Sequence, residues 1–388
     1  MNERILICGA SIAGLTLAHW LARRGFQPTI VERASALRTG GNGVDIRGHA
    51  TDVLTRMGIM PRARELAADV QGMKFVDAQD KTIARIDTAA AGEVEIMRGD
   101  LVALLHEATG ADILFGDTIT ALTQHDDGVG VTFEHAPPRR FDLVIGADGM
   151  HSTVRRLAFG PEQRFIRHRD HYFAFTNADS ALGEDRWMTI FNTPGRLVGI
   201  YRSGNHAQAK AYFTFRSPRL DYDHRDPAVA RKLVSDAFAD QDSWQTRQLL
   251  ESALADPEFY FDACAQVHMD SWSTGRVALV GDAAWCASPP SGAGAELALV
   301  GAYRLAGELA AAGGDHQLAF DRYNAAMRPL VTSKQKIGLN LWLMLPRTEG
   351  AQCVRDTIAR LPVFKALNAL DRLRPAAAIP LPDYAFAG

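Results

Sequence analysis

Short apolar runs alternate with helical periodicity along most of this chain. Leu6-Ile7-Cys8 is an apolar run that meets a Gly9-Ala10-Ser11 turn, and a helix-forming stretch starts at about Ile12. Thr29-Ile30-Val31 predicts a second short strand, closed by the acid Glu32. Gly40 to Gly48 reads as a glycine-rich loop carrying Asp45 and Arg47, and helical periodicity follows from His49 to Met57. Residues 93–97 predict a strand, with a helix opening at Arg98. Short strands around 113–115 and 129–133 precede a buried strand from Phe141 that ends in Asp148-Gly149. From about 165 to 265 the texture changes to period-two alternation: His171–Thr176, Trp187–Asn192, Leu197–Arg202 and Ala209–Phe215. Pro194-Gly195 and Ser203-Gly204-Asn205 supply turns between them. Residues 227–254 read as helical. A buried strand returns before Gly281-Asp282, and Pro289 to Gly294 leads into an Ala- and Leu-rich helix from about Ala295 to Ala312. The stretch 317–372 is mostly helical and is cut by Pro329, Pro346 and Pro362.

The first 32 residues have the order of a βαβ unit built for a dinucleotide. Gly9 allows the tight turn, and Gly14 lets helix and strand pack closely. The helix N-terminus offers free N–H groups and a positive dipole end to phosphates. Ser11 replaces the middle glycine; it is small enough to keep the close approach, and its hydroxyl can bond a phosphate. Glu32 is placed to accept from ribose hydroxyls.

The chain has 388 residues, long enough for two domains, and a net charge of −3 that leaves no basic footprint for nucleic acid. Its four cysteines, Cys8, Cys264, Cys286 and Cys353, show neither C-x-x-C nor metal spacing and read as buried apolar thiols. Asn2-Glu3-Arg4 leads directly into the first strand without signal-peptide character, and Leu339–Leu345 is too short to span a bilayer. These features predict a cytoplasmic protein with no membrane partner.

Three motifs in order carry a resemblance: Gly9-x-Ser11-x-x-Gly14, Asp148-Gly149-x-x-Ser152-x-x-Arg155, and Gly281-Asp282-Ala283-Ala284 with Pro289-x-x-Gly292-x-Gly294. Together they resemble the single-component FAD monooxygenases of the para-hydroxybenzoate hydroxylase fold, over nearly the whole chain. Gly41 to Gly48, Glu95 to Leu101 and Leu299 to Leu309 are most similar to the tetracycline destructase branch. The resemblance implies an α/β fold. Its Rossmann-like FAD-binding domain is in two parts, 1–164 and 266–316. An antiparallel-sheet substrate domain is inserted at 165–265, and a helical segment follows at 317–388.

The resemblance also implies roles by position. Gly9, Ser11, Ile12, Ala13, Gly14, Glu32 and Arg33 hold the ADP half of FAD. Arg98 lies near the pyrophosphate and ribitol, and Asp282 accepts from ribitol hydroxyls. Asp45 and Arg47 reach the isoalloxazine side. Asp148 braces the pyrophosphate region and bears on the nicotinamide. Pro289, Gly292, Gly294 and Ala295 form the turn and helix start beside the flavin pyrimidine ring. NADPH or NADH is the implied reductant, with Arg38 a phosphate contact or simply solvated. The flavin C4a-hydroperoxide carries the chemistry, so no catalytic side chain is expected. A small aromatic substrate, a phenol or enol with tetracyclines leading, is expected between flavin and sheet, near Thr189, Phe191 and Tyr201; these three otherwise read as ordinary sheet residues. A monomer is expected.

Two departures stand out. Trp285 occupies a position that is His in many relatives, and Glu296 one that is usually Asn. A carboxylate facing the flavin would oppose reduced-flavin anion formation; otherwise Glu296 is a helix N-terminal acid. Two other readings fit the pattern: a biosynthetic hydroxylase of another aromatic polyketide, and a flavoprotein that binds such a ligand without turnover. No W-x-W-x-I-P segment supports a flavin halogenase, and no anchor supports a membrane epoxidase.

Overall fold

A computed structural model describes residues 3–38, 40–87, 94–336, 344–360 and 381–384. A six-stranded sheet forms the nucleotide half, in the order 273–274, 277–279, 143–146, 4–8, 27–32, 113–115. All neighbours are parallel except the two-residue edge strand Ser273–Thr274. Parallel strands are covered on both faces, which is why Ile5, Leu6, Ile7, Val144, Ile145 and Val277 are fully buried and read as unbroken apolar runs. Helix Ile12–Ala22 packs against helix Gly294–Ala311, with Trp20 edge-on to Tyr303 at 5.0 Å.

The second large sheet has seven strands, in the order 260–267, 166–178, 209–216, 196–201, 187–193, 72–76, 82–87. Four of them, 166–178, 187–193, 196–201 and 209–216, are those predicted from the alternation; the edge strand Tyr260–Val267 is not among the predicted ones. The last two come from before residue 164: Gly72–Val76 pairs parallel with Trp187–Thr193, and Thr82–Asp87 forms the edge. The sheet thus takes two strands from within 1–164 and is not built from 165–265 alone.

Helices Pro227–Phe238 and Thr246–Ala255 replace the single helical stretch read at 227–254. They cover one face of this sheet, burying Ile200, Phe213 and Phe215 against Val234, Phe238 and Leu249. The other face looks toward the nucleotide half, and one end of it meets helix Glu349–Arg360, where the Arg355 guanidinium lies 4.6 Å from the Phe75 ring centre.

The glycine-rich stretch read as a loop contains a strand, Gly43–Ile46, paired antiparallel with Val94–Met97. Its partner lies some fifty residues away, so local pattern could not reveal it. Helix His316–Lys334 contains Pro329, and the positions around Pro362 and Leu339 lie outside the described residues. Cys8, Cys264 and Cys286 are buried as expected, whereas Cys353 is exposed. No described helix is long and apolar enough to cross a membrane.

Candidate functional site

The glycine turn is shaped by backbone crowding. Gly9 adopts φ +110°, and a side-chain carbon there would sit 2.5 Å from the Ala147 carbonyl oxygen. A side-chain carbon on Gly14 would sit 1.9 Å from the Gly9 carbonyl oxygen, so the helix can approach the strand only with glycine there. Glu32 ties the turn down: Oε2 accepts from the Ala10 N–H at 2.8 Å and Oε1 from the Ala34 N–H at 2.9 Å. Each oxygen keeps a further lone pair for a ribose hydroxyl. Ile12, Ala13 and Gly14 form the first turn of the helix, and Arg33 is exposed next to Glu32.

Ser11 is the N-cap residue of this helix, but its side chain makes no cap hydrogen bond. Its Oγ instead accepts from Arg98 Nη2 at 2.9 Å. The first-turn N–H groups therefore have no side-chain acceptor, and a guanidinium stands beside them. That is an arrangement for an anion.

Asp282 follows the 277–279 strand and is exposed, although protein surrounds it on several sides. Burial raises its carboxyl from the ordinary value, and the nearby Arg98 charge opposes the rise. Asp148 has a different task. Its carboxylate accepts from Ser152 Oγ at 2.5 Å and from the N–H groups of Thr153 and Val154 at 2.7 and 3.1 Å. It therefore caps helix Thr153–Phe159. Burial raises its carboxyl despite these bonds. Arg155, fully buried, joins the two aspartate motifs: Nη1 donates to the Ala283 carbonyl at 2.8 Å and Nη2 to the Met150 carbonyl at 2.5 Å.

Asp45, Arg47 and Gly292 come together. Arg47 Nη2 donates to the Gly292 carbonyl at 3.1 Å and lies 3.7 Å from Asp45 Oδ2. Gly292 is left-handed at φ +60°, and a side-chain carbon there would sit 2.9 Å from Arg47 Nη2. Pro289, Gly292 and Gly294 are exposed along one strip, and Ala295 is buried in the first turn of the following helix. That helix has no side-chain cap either, with Ala293 at its N-cap.

Packing holds Trp285, and an ion pair holds Glu296. Trp285 is buried edge-on to Trp272 at 4.5 Å and tilted against Tyr323 at 5.7 Å. Gly301 makes room for it, since a side-chain carbon there would sit 2.6 Å from the indole. Glu296 is 2% exposed, and its Oε2 accepts from Lys334 Nζ at 2.6 Å. Neither reading drawn from the sequence anticipated an ion pair.

The register divides the three candidate substrate residues. Residues paired across strands share a face. Met188, Tyr201 and Lys210 are cross-strand partners, as are Ile190, Gly199 and Tyr212. Thr189 pairs with Ile200 and Phe191 with Val198, both on the helix-covered face. Thr189 and Phe191 therefore leave the candidate substrate surface, and Phe191 packs 5.7 Å from Trp244. Tyr201 stays. It belongs to a row of rings on the face toward the nucleotide half. Tyr260 lies against both Phe173 and Phe175, and Phe175 leads on to Tyr212 and then Tyr201, with neighbouring centres 4.8 to 6.4 Å apart. Period-two spacing of Phe173 with Phe175, and the pairing of Tyr201 and Tyr212 strands, was the signal that could have found this row.

Glu95 lies opposite Asp45 in the short two-stranded ladder and shares its face. It acts on both Tyr201 and Tyr212 across the gap between the halves. Burial, with Asp45 adding to it against a lowering contact from Tyr201, pushes its carboxyl up to about 7.

The FAD binding domain family matches residues 3–334. The chain belongs to that family. It is a flavin-dependent monooxygenase, and its cofactor is FAD. A flavin-dependent monooxygenase of Legionella longbeachae is 39% identical over 345 residues, covering 87% of this chain and 88% of the relative. An uncharacterized protein of Mycobacterium tuberculosis is 43% identical over 358 residues, covering 90% of this chain and 94% of its own length. The tetracycline destructase Tet(51) superposes with a TM-score of 0.85 at 35% identity, covering 99% of this chain and 100% of that one. Klebsiella pneumoniae HpxO, solved with FAD and uric acid, shares the fold at a TM-score of 0.72 and 20% identity, covering 95% of each chain. The resemblance read from the three motifs is borne out, as is the fold.

The residues of this monooxygenase fit FAD. An anion can meet the uncapped helix N-terminus and Arg98, hydroxyls can meet Glu32 and Asp282, and Gly294 leaves room beside a second helix start.

Proposed function

We propose that this monooxygenase inserts one oxygen atom from O2 into a polycyclic phenol or enol. NADPH or NADH is the reductant, and tetracycline-type antibiotics are the leading substrate. The observation that carries the proposal is full-length likeness to tetracycline destructases in both sequence and fold. When bound, FAD relays electrons from the nicotinamide to O2 and passes one oxygen atom to the substrate.

The chain's own residues do the rest. Ser11, Arg98, Glu32 and Asp282 hold the dinucleotide. The uncapped start of helix Gly294–Ala311 favours negative charge on the adjacent flavin ring. The row from Phe173 to Tyr201 offers flat apolar area to a polycyclic ligand and excludes water from the reacting face. The Lys334 ammonium offsets the Glu296 carboxylate, which removes the reason for expecting a binder without turnover.

The test is ligand-stimulated NAD(P)H oxidation over tetracyclines, anthracyclines and simple phenols, with mass analysis of the product. Oxygen gain by another phenol and not by tetracyclines makes the protein a biosynthetic hydroxylase of a different aromatic compound.

A further inference from the structure

Glu95 is an uncompensated acid on a surface of aromatic rings. Asp45, its cross-strand neighbour, has Arg47 at 3.7 Å. Glu95 has no cation within ion-pair distance among the described residues; the groups that act on it are Tyr201, Asp45 and Tyr212. The Tyr201 hydroxyl is buried and lies against this carboxyl without completing a hydrogen bond. Tyr212 stands 6.4 Å from Tyr201, centre to centre, and the row continues to Phe175 and Tyr260.

A half-buried carboxylate without a cation nearby and beside aromatic rings is the complement of a protonated amine. Rings attract an ammonium group through their faces, and the carboxylate supplies the countercharge. We propose that Glu95, with Tyr201 beside it, is the specificity determinant for substrates carrying a protonated amine next to their polycyclic phenol or enol system. The inference rests on the proposed function and names the substrate class more narrowly.

The sign of the linked protonation follows from the position of the group. Glu95 is held at about 7, so it is partly protonated at neutral pH. An arriving ammonium favours the ionised form, and its binding releases a proton from Glu95. Binding of such a ligand therefore strengthens as pH rises through 7.

The experiment uses FAD-loaded protein, tetracycline, and 4-dedimethylaminotetracycline, which lacks the amine. Titration calorimetry in two buffers of different ionisation enthalpy gives affinity and protons released. Wild type should prefer tetracycline by about 10- to 100-fold, the strength of one charge-assisted contact. Glu95→Gln should lose that preference. It should release fewer protons on binding tetracycline than wild type does at pH 7, while holding the dedimethylamino compound as before. Equal affinities in wild type, or a preference that survives Glu95→Gln, overturn the inference and leave the monooxygenase reading intact. Should neither tetracycline bind, the substrate reading falls. Doxorubicin against its N-acetyl derivative, which keeps the sugar but loses the charge, then puts the same question to Glu95, and absence of preference there overturns the inference too.

Discussion

Arg98 Nη2 donates to Ser11 Oγ at 2.9 Å, so the residue that replaces a glycine in the dinucleotide turn serves the arginine and not its own helix. The bond joins the start of helix Ile12–Ala22 to the start of helix Arg98–Thr109. It fixes a guanidinium beside first-turn N–H groups that lack a side-chain cap.

This arrangement separates two variants. Ser11→Ala removes one neutral acceptor of a charged donor and should weaken FAD binding by about 1–2 kcal/mol, with thermal stability of the apoprotein nearly unchanged. Arg98→Ala should weaken binding more, because the charge itself is lost. Flavin-fluorescence titration of apoprotein measures both. A larger effect from Ser11→Ala would contradict the assignment.

Asp282 and Asp148 should fail in different ways. Asp282→Ala should lower FAD occupancy by roughly 1.5–3 kcal/mol of binding, since its carboxylate is exposed and within reach of the Arg98 charge. Asp148→Ala removes a helix cap and should cost about 1 kcal/mol of stability, with a smaller loss of flavin. Occupancy and melting temperature of the two purified variants decide. Equal losses of flavin would place Asp148 on the cofactor as well.

The Lys334–Glu296 pair should set the flavin potential in opposite senses. Lys334→Met leaves a buried carboxylate near the helix start, so the bound flavin should become harder to reduce. Glu296→Asn leaves the ammonium and should make reduction easier. Breaking the pair by Lys334→Met should also cost roughly 2–3 kcal/mol, below the full cost for buried pairs because Lys334 is 22% exposed. Redox titration against a reference dye reads both shifts, and one common potential for all three proteins would detach the pair from the flavin.

His151 makes stability depend on pH. It sits between Asp262, at 3.2 Å, and Glu162, at 3.0 Å, with His224 stacked on it at 3.9 Å. Burial lowers its affinity for a proton, but hydrogen bonds to the two carboxylates outweigh this and raise it to about 9. The folded value lies above the unfolded one. The stabilisation is therefore complete below about pH 6.5 and is lost as pH rises through 9, on the order of 2–3 kcal/mol. Urea unfolding of wild type and His151→Gln across this window should show wild type alone losing that increment. Parallel curves would remove His151 from the account.

The nucleotide half is legible along the chain because its rules are local. An apolar run, Gly9, Gly14 and a closing acid at Glu32 stand within one βαβ unit, and each answers a backbone or packing need nearby. What the chain hides is non-local. Gly43–Ile46 reads as a loop because its ladder partner is Val94–Met97. The large sheet borrows Gly72–Val76 through a parallel pairing that alternation cannot announce. Thr189 and Tyr201 are both plausible on their strands, and only the register shows that they face opposite ways. Glu296 is an ordinary first-turn acid until Lys334 is found beside it.

The most direct test of the account is oxygen transfer itself. FAD-loaded protein, NADPH and tetracycline are incubated under isotopically heavy O2, and the product is weighed. Tetracycline should stimulate NADPH oxidation, and the product should gain one heavy oxygen atom. NADPH oxidation that no tetracycline, anthracycline or phenol stimulates, with no heavy oxygen in any of them, would contradict the account.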